Sequence, residues 1–328
     1  MGGSFLQVVV AVLLLAISLA PGARAGWIFP VIALIGVGQA FLGPASQSLV
    51  PFLVSKEDFP RAVAWNSSTF QVATIAGPAI GGLLYAFGPA CVYAVSAGCY
   101  ACSAFLISRI HTRLRVAAAA KPGLDGLLTG LRFVFSRPLI LGAISLDLFA
   151  VLFGGATALL PIYARDILHT GPWGLGLLRS APAVGAAVVA FVLAHRPLAR
   201  RAGTRMFLCV ALFGVTTVVF GLSRSFLLSL TALALMGAAD MVSVVVRQTL
   251  VQINTPDENR GRVSAVNSIF IGASNQLGEF ESGVTAAWLG AVPAAVLGGL
   301  GTLAVVLVWA WLFPSLRRAD RLDAGAHA

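Results

Sequence analysis

Two stretches of the chain decide its fold when one is laid over the other: QSLVPFLVSKEDFPRAVAWNSSTFQVATIAGPAIGG at 47–82 and QTLVQINTPDENRGRVSAVNSIFIGASNQLGEFESG at 248–283. A shift of 201 residues aligns them without a gap, and ten of the 36 positions are identical. Gln47, Leu49, Val50, Glu57, Arg61, Ala64, Asn66, Ser67, Gly77 and Gly82 meet Gln248, Leu250, Val251, Glu258, Arg262, Ala265, Asn267, Ser268, Gly278 and Gly283. Chance would supply roughly three matches in so biased a composition, so the chain contains an internal repeat.

Outside these stretches the composition excludes a water-soluble domain. Apolar residues make up 58% of the 328 and charged residues 10%, against roughly 25% charged in soluble proteins. A globule of this length cannot hide that much apolar surface. The same numbers exclude disorder, and four Cys exclude a disulfide scaffold. An all-α polytopic membrane protein remains. Only two Lys accompany abundant Arg, Ala and Gly, a usage that suggests a GC-rich bacterial genome.

A helix needs about 20 apolar residues to cross a bilayer. Ten such runs are expected, near 5–20, 27–50, 64–86, 90–108, 139–163, 173–194, 206–222, 226–247, 264–287 and 291–313. The net charge of +10 could signal nucleic acid, but its distribution signals topology. Of 22 Lys and Arg, 17 fall in the connections 51–63, 109–138, 195–205 and 248–263 and in the tail after Pro314. The opposite loops hold only Arg24, Arg165 and Arg224. Basic residues accumulate on the inner side, so both termini are expected in the cytoplasm of a bacterial inner membrane. Ala23-Arg24-Ala25 has the form of a signal-peptidase site, but Met1 to Gln7 carries no basic residue, so the first run reads as a span.

The expected organisation is an incomplete four-span half at 1–108, a basic cytoplasmic linker at 109–138, a six-span half at 139–313 and a tail at 314–328. In the linker, Leu124, Leu127, Leu128, Leu131 and Val134 have the spacing of an amphipathic, interfacial helix. Six spans separate equivalent points of the repeat, so the copies run parallel. Met1 falls opposite Ala202, and two spans of the second half precede that point without counterparts. The pattern is thus 4 + 6, and a segment of roughly sixty residues ahead of Met1 is expected by the repeat. A misplaced start, a truncated gene and a natural ten-span form all fit it.

Several groups carry chemistry. Gly77-Pro78-Ala79-Ile80-Gly81-Gly82 lies in the third expected span, where Pro removes a backbone donor and glycines permit close helix approach. In the ninth, Glu279 and Glu281 stand opposite Pro78 and Ile80, and about 200° apart around the helix they do not share one site. Asp147 lies in the fifth span; Asp240 and Arg247, seven residues apart, share a face of the eighth. A charge at mid-membrane costs about 2.5–3.5 kcal/mol on insertion scales, so each needs a function or a partner. Arg179 lies nearer the outer side, where it could pair with Glu279 or Glu281.

Other constellations are weak. Cys99 and Cys102 sit in an apolar span and read as packing residues. The four His (111, 169, 195 and 327) lack metal spacing, so no metal and no cofactor is expected. No Gly-Lys-Ser/Thr exists, which excludes a P-loop pump, and no protease or hydrolase motif supports an enzyme.

The glycine–proline segment resembles the antiporter motif of major facilitator exporters. The loop from His195 to Arg205 resembles a degraded copy of that superfamily's signature loop, retaining Arg201, Gly203 and Arg205, with Arg196 and Arg200 replacing a Gly and an Asp. From Asn254 to Leu322 the chain resembles the bacterial transmembrane secretion effector family, which includes enterobactin-exporter-like proteins. Arg260 to Asn267 and Gly278 to Gly283 carry the likeness, and Gly154 to Asp166 supports it. The resemblance implies a major facilitator fold with two parallel repeats. It implies proton-coupled efflux of a small molecule, drug-like or siderophore, by a monomer in the lipid bilayer through alternating access. Asp147 and Asp240 would line the central cavity, and one of them, Asp240 or Asp147, would exchange a proton for substrate. Lacking a front segment, the chain could instead be a non-transporting membrane fragment or an assembly subunit.

Overall fold

The computed structural model describes residues 2–20, 25–36, 59–109, 124–195 and 201–319. Most of the first repeat copy before 59, most of the expected span 27–50 and the middle of the linker lie outside them. The described chain is helical: α1 (Gly2–Leu19), α2 (28–36), α3 (Phe59–Tyr85), α4 (Pro89–Ser108), α5 (Leu124–Ser136), α6 (Pro138–Phe153), α7 (Leu160–Ile162), α8 (Gly171–His195), α9 (Ala202–Leu222), α10 (Phe226–Ile253), α11 (Asp257–Leu289), α12 (Ala291–Leu312) and α13 (Pro314–Arg317). Six segments are long and apolar enough to span a membrane: Pro89–Ser108, Pro138–Ile167, Gly171–Leu193, Ala202–Leu222, Phe226–Ile253 and Ala291–Leu312. The apolar parts of α1 and α3, Phe5–Leu19 and Ile75–Tyr85, are shorter. At 33 residues α11 is long enough, but its Asn, Gln, Ser and Glu make it polar.

The chain forms two compact units, Met1–Ala119 and Ala120–Ala328. In the first, α4 packs along α1 and α3, burying Val10 and Ala11 of α1. No residue of α4 is buried, and its apolar surface is what lipid would cover. In the second, α10 packs on α8 and α9, α12 on α9 and α6, and α11 on α6 and α5. Small residues set the approach: a Cβ on Gly185 would strike the Ala234 carbonyl, and one on Gly237 the Pro182 carbonyl. Tyr163 is fully buried, packs its ring tilted against that of Phe220 and donates its hydroxyl to the Gly221 carbonyl at 2.7 Å.

The repeat is visible in the turns. Gly88 enters α4 at φ 105°, ψ 157°, and Gly290 enters α12 at φ 93°, ψ 161°. Only glycine adopts that region readily, so both halves use one glycine to turn between corresponding helices.

Two expectations are corrected. The run 139–163 is not one helix. α6 ends at Gly154 and is followed by a 3₁₀ turn (Ala156–Leu159), α7 and a π turn (Tyr163–Ile167). Gly154, Gly155 and Pro161 remove the propensity and a donor that would carry the helix through. The Ala150 carbonyl, which accepts the Gly154 N–H at 2.9 Å, also accepts the Thr302 hydroxyl at 3.0 Å, a side-chain bond that supports the backbone at the break. The helix expected in the linker exists as α5, and the C-terminal part of its apolar face packs on protein. Val134 is fully buried with Ile140, Ile144, Val251, Val263 and Val266, although Leu128 and Phe135 stay exposed. Among the described residues nothing lies within 4 Å of a Cβ added to Gly77 or Gly81. α3 continues through Pro78. The equivalent of Gly77, Gly278, is the packed one: its added Cβ would lie 2.8 Å from the Val151 and Leu152 carbonyls.

Candidate functional site: a buried charge cluster on three helices

The second unit brings Asp147, Asp240, Ser243, Arg247 and Asn267 together. α6 places Asp147 about two turns before its break, and α10 places Asp240, Ser243 and Arg247 at spacings of three, four and seven, the neighbours of one helix face. Asp147 is 6% exposed and Arg247 2%. Arg247 Nε lies 3.3 Å from Asp147 Oδ2. The N–H is not aimed at that oxygen, so the contact is an ion pair without a hydrogen bond, and Nε is left with no hydrogen-bond partner. The other side of the guanidinium is held better: Nη1 donates to Asn267 Oδ1 at 2.6 Å. Ser243 Oγ donates to Asp147 Oδ1 at 3.3 Å.

Asp240 differs from Asp147. No hydrogen bond or ion pair within 4 Å reaches it among the described residues. Both acids line one narrow cleft with Ser243, Ala150, Val151, Val210, Phe213 and Ala239, with room for roughly one water molecule. The sequence placed Asp240 and Arg247 on one face; the structure gives Arg247 to Asp147 instead.

The remaining predicted residues lie apart from this cluster. Glu279 is exposed and Glu281 half-buried, accepting from Thr285 Oγ1 at 2.9 Å. Arg179 is exposed on α8, which packs on α10, whereas the two Glu belong to α11, packed on α5, α6 and α12. The expected pairing of Arg179 with either Glu is therefore not made. Gly77, Pro78, Gly81 and Gly82 belong to α3, in the first unit.

The signature-loop remnant has a packing role that sequence reading missed. Arg201 takes the left-handed conformation, φ 55°, ahead of α9. The Gly203 N–H then donates to the Ala319 carbonyl at 3.0 Å, and a Cβ there would strike the Leu316 carbonyl. Leu316 of α13 is fully buried beside Ala202 and Met206. Arg205 is half-buried in the first turns of α9, and Arg196 and Arg200 lie outside the described residues. Asn267 was also missed as a site residue. Its identity with Asn66 in the repeat was the available signal.

The profile of the transmembrane secretion effector family matches residues 1–327. The chain is 28% identical over 297 residues to the enterobactin exporter EntS of Citrobacter koseri, across 88% of this chain and 70% of that one. EntS of Shigella boydii serotype 18 is 28% identical over 282 residues, across 83% of this chain and 63% of that one. The chain thus spans under two thirds of the second relative's length. Among solved structures, a POT family transporter in complex with 5-aminolevulinic acid has a TM-score of 0.69 at 12% identity, covering 96% of this chain and 80% of that one. A bacterial homologue of the iron transporter ferroportin, in an inward-facing state, has a TM-score of 0.63 at 16% identity, covering 96% and 81%. At such identities the likeness carries the fold alone, and the fold is that of the major facilitator transporters. The family and these relatives are membrane transporters rather than enzymes. The chain belongs to the transmembrane secretion effector family, multi-pass membrane proteins of the major facilitator fold.

Proposed function

We propose that the protein is a proton-coupled exporter of a small amphiphilic molecule, drug-like or siderophore, working by alternating access in a bacterial inner membrane with both termini cytoplasmic. The observation that carries this reading is the buried cluster of Asp147, Asp240 and Arg247. A transporter without a nucleotide site must draw on an ion gradient, and buried carboxylates in a membrane helix are the groups that trade a proton for cargo. The outward direction rests on two supports: the named activity of the EntS relatives, and the glycine–proline segment at Gly77 to Gly82 on α3.

In this mechanism cargo and proton compete for the carboxylates of the cluster. Cargo binding on the inner side displaces the proton into the cytoplasm, and the loaded, deprotonated site then opens outward. Protonation on the outer side resets it.

The test is transport in everted vesicles energised by an inward-acid pH gradient, with ethidium and enterobactin as probes. Gradient-dependent uptake of either, lost in Asp240→Asn, is the expected result. If uptake stayed gradient-dependent in both Asp240→Asn and Asp147→Asn, the coupling assigned to these acids would be wrong. A chain that moves neither probe with or without a gradient would favour the fragment or assembly-subunit reading.

A further inference from the structure

Three charges occupy the cluster, Asp147 and Arg247 buried and Asp240 half-buried, and they do not balance. With both carboxylates ionised, Asp147, Asp240 and Arg247 sum to one negative charge. An uncompensated charge held out of water is strongly disfavoured, so one proton completes the cluster. The geometry decides which acid receives it. Asp147 faces the Arg247 guanidinium and accepts the Ser243 hydroxyl. Both favour its anion. Asp240 has neither. Its one wall of the cleft is Asp147, and the rest is Ser243 and apolar side chains.

Among the described residues no other charge lines the cleft. α6, α8 and α9 pack against α10. Among the described residues, Asp147 is the charged residue of α6, Arg179 with the terminal His195 that of α8, and Arg205 that of α9. Arg179 and His195 are exposed, and neither they nor Arg205 line the cleft. On α11, which packs on α6 and meets Arg247 through Asn267, Glu258, Arg262 and Glu279 are exposed and Glu281 is half-buried, and none of them lines the cleft.

We propose that Arg247 is a positioning residue: it keeps Asp147 as the fixed anion of the cluster, so that the exchangeable proton sits on Asp240. Asn267 holds the guanidinium from α11 at 2.6 Å, so the fixed pair also ties α6, α10 and α11 together. The water-sized space beside Asp240 is the route by which its proton leaves. This deepens the proton-coupled reading above and rests on it, dividing between two acids a task that sequence reading left open.

The proton itself is the probe. The full chain in lipid nanodiscs is titrated while the infrared band of buried carboxylic acid is recorded. The wild type is expected to show one such band, absent from Asp240→Asn and retained in the paired variant Asp147→Asn/Arg247→Gln. Arg247→Gln alone is expected to double the band, because Asp147 then takes a proton too. Arg247→Lys, which keeps the charge, should restore the wild-type spectrum. A purely structural role for Arg247 would leave the band count unchanged in every folded variant. A band that survives Asp240→Asn, no band in the wild type, or an unchanged count in Arg247→Gln would overturn the proposal. If Arg247→Gln fails to fold, the paired variant and Arg247→Lys decide: loss of the band from either overturns it. The spectrum is read without transport. A band assigned to Asp240 in a protein that ignores a pH gradient would sink the coupling reading and leave this assignment standing.

Discussion

Arg247 and Asp147, one hundred positions apart in sequence, bury their opposite charges 3.3 Å from each other between α10 and α6. A buried pair is expensive to assemble and more expensive to break, because removal of one partner strands the other. Arg247→Met is therefore expected to destabilise the protein by about 3–5 kcal/mol, read as an earlier melt in detergent. Asp147→Asn/Arg247→Met removes both charges and should recover at least half of the lost melting temperature. A double variant no more stable than the single one would mean that the pair is not the structural unit described.

The two repeat-equivalent glycines should respond differently. Gly278→Ala sets a methyl 2.8 Å from two carbonyls at the end of α6, and such overpacking costs about 1–3 kcal/mol. Gly77→Ala meets nothing within 4 Å and gains roughly 1 kcal/mol of helix propensity. Parallel thermal melts check the contrast, and equal losses at both positions would contradict it.

Gly203 is the contact point between the start of α9 and the tail. Gly203→Ala would push the Leu316 backbone away and break the Gly203 N–H bond to Ala319. Faster proteolytic clipping after Phe313 is the expected outcome, with the folded yield preserved. An unchanged clipping rate would show that α13 stays docked without this contact.

Thr302 donates to the Ala150 carbonyl where α6 breaks. Thr302→Val keeps the shape and deletes the donor, so a loss of about 1 kcal/mol is expected. Thr302→Ser, which restores the hydroxyl, should regain most of it. Hydrogen exchange at Gly154 is a second readout, since its N–H shares the same acceptor.

The orientation proposed from the basic loops is open to a direct check. A cysteine introduced at Arg224 should react with an impermeant maleimide added to intact cells, and one at Arg318 only after the membrane is opened. The reverse pattern would invert the topology.

Much of this architecture was legible in the sequence by itself, because it depends on local properties. Hydropathy over 20 residues, the bias of basic residues and the identity of two segments 201 apart determined a helical membrane protein with a parallel repeat. The paired turns at Gly88 and Gly290 confirm that repeat in three dimensions. The acids of the cluster could be named, since a carboxylate in an apolar run announces itself. Their partners could not. Helices as uniformly apolar as α6 and α12 have no polar face from which to read which neighbour each side meets. Only packing showed that Arg247 turns to Asp147 and Asn267, that Gly278 lies against the end of α6, and that the tail returns to Gly203. Each is a contact between residues far apart in sequence. The choice among neighbours is made by close backbone approach and charge pairing, which no periodicity along one helix records.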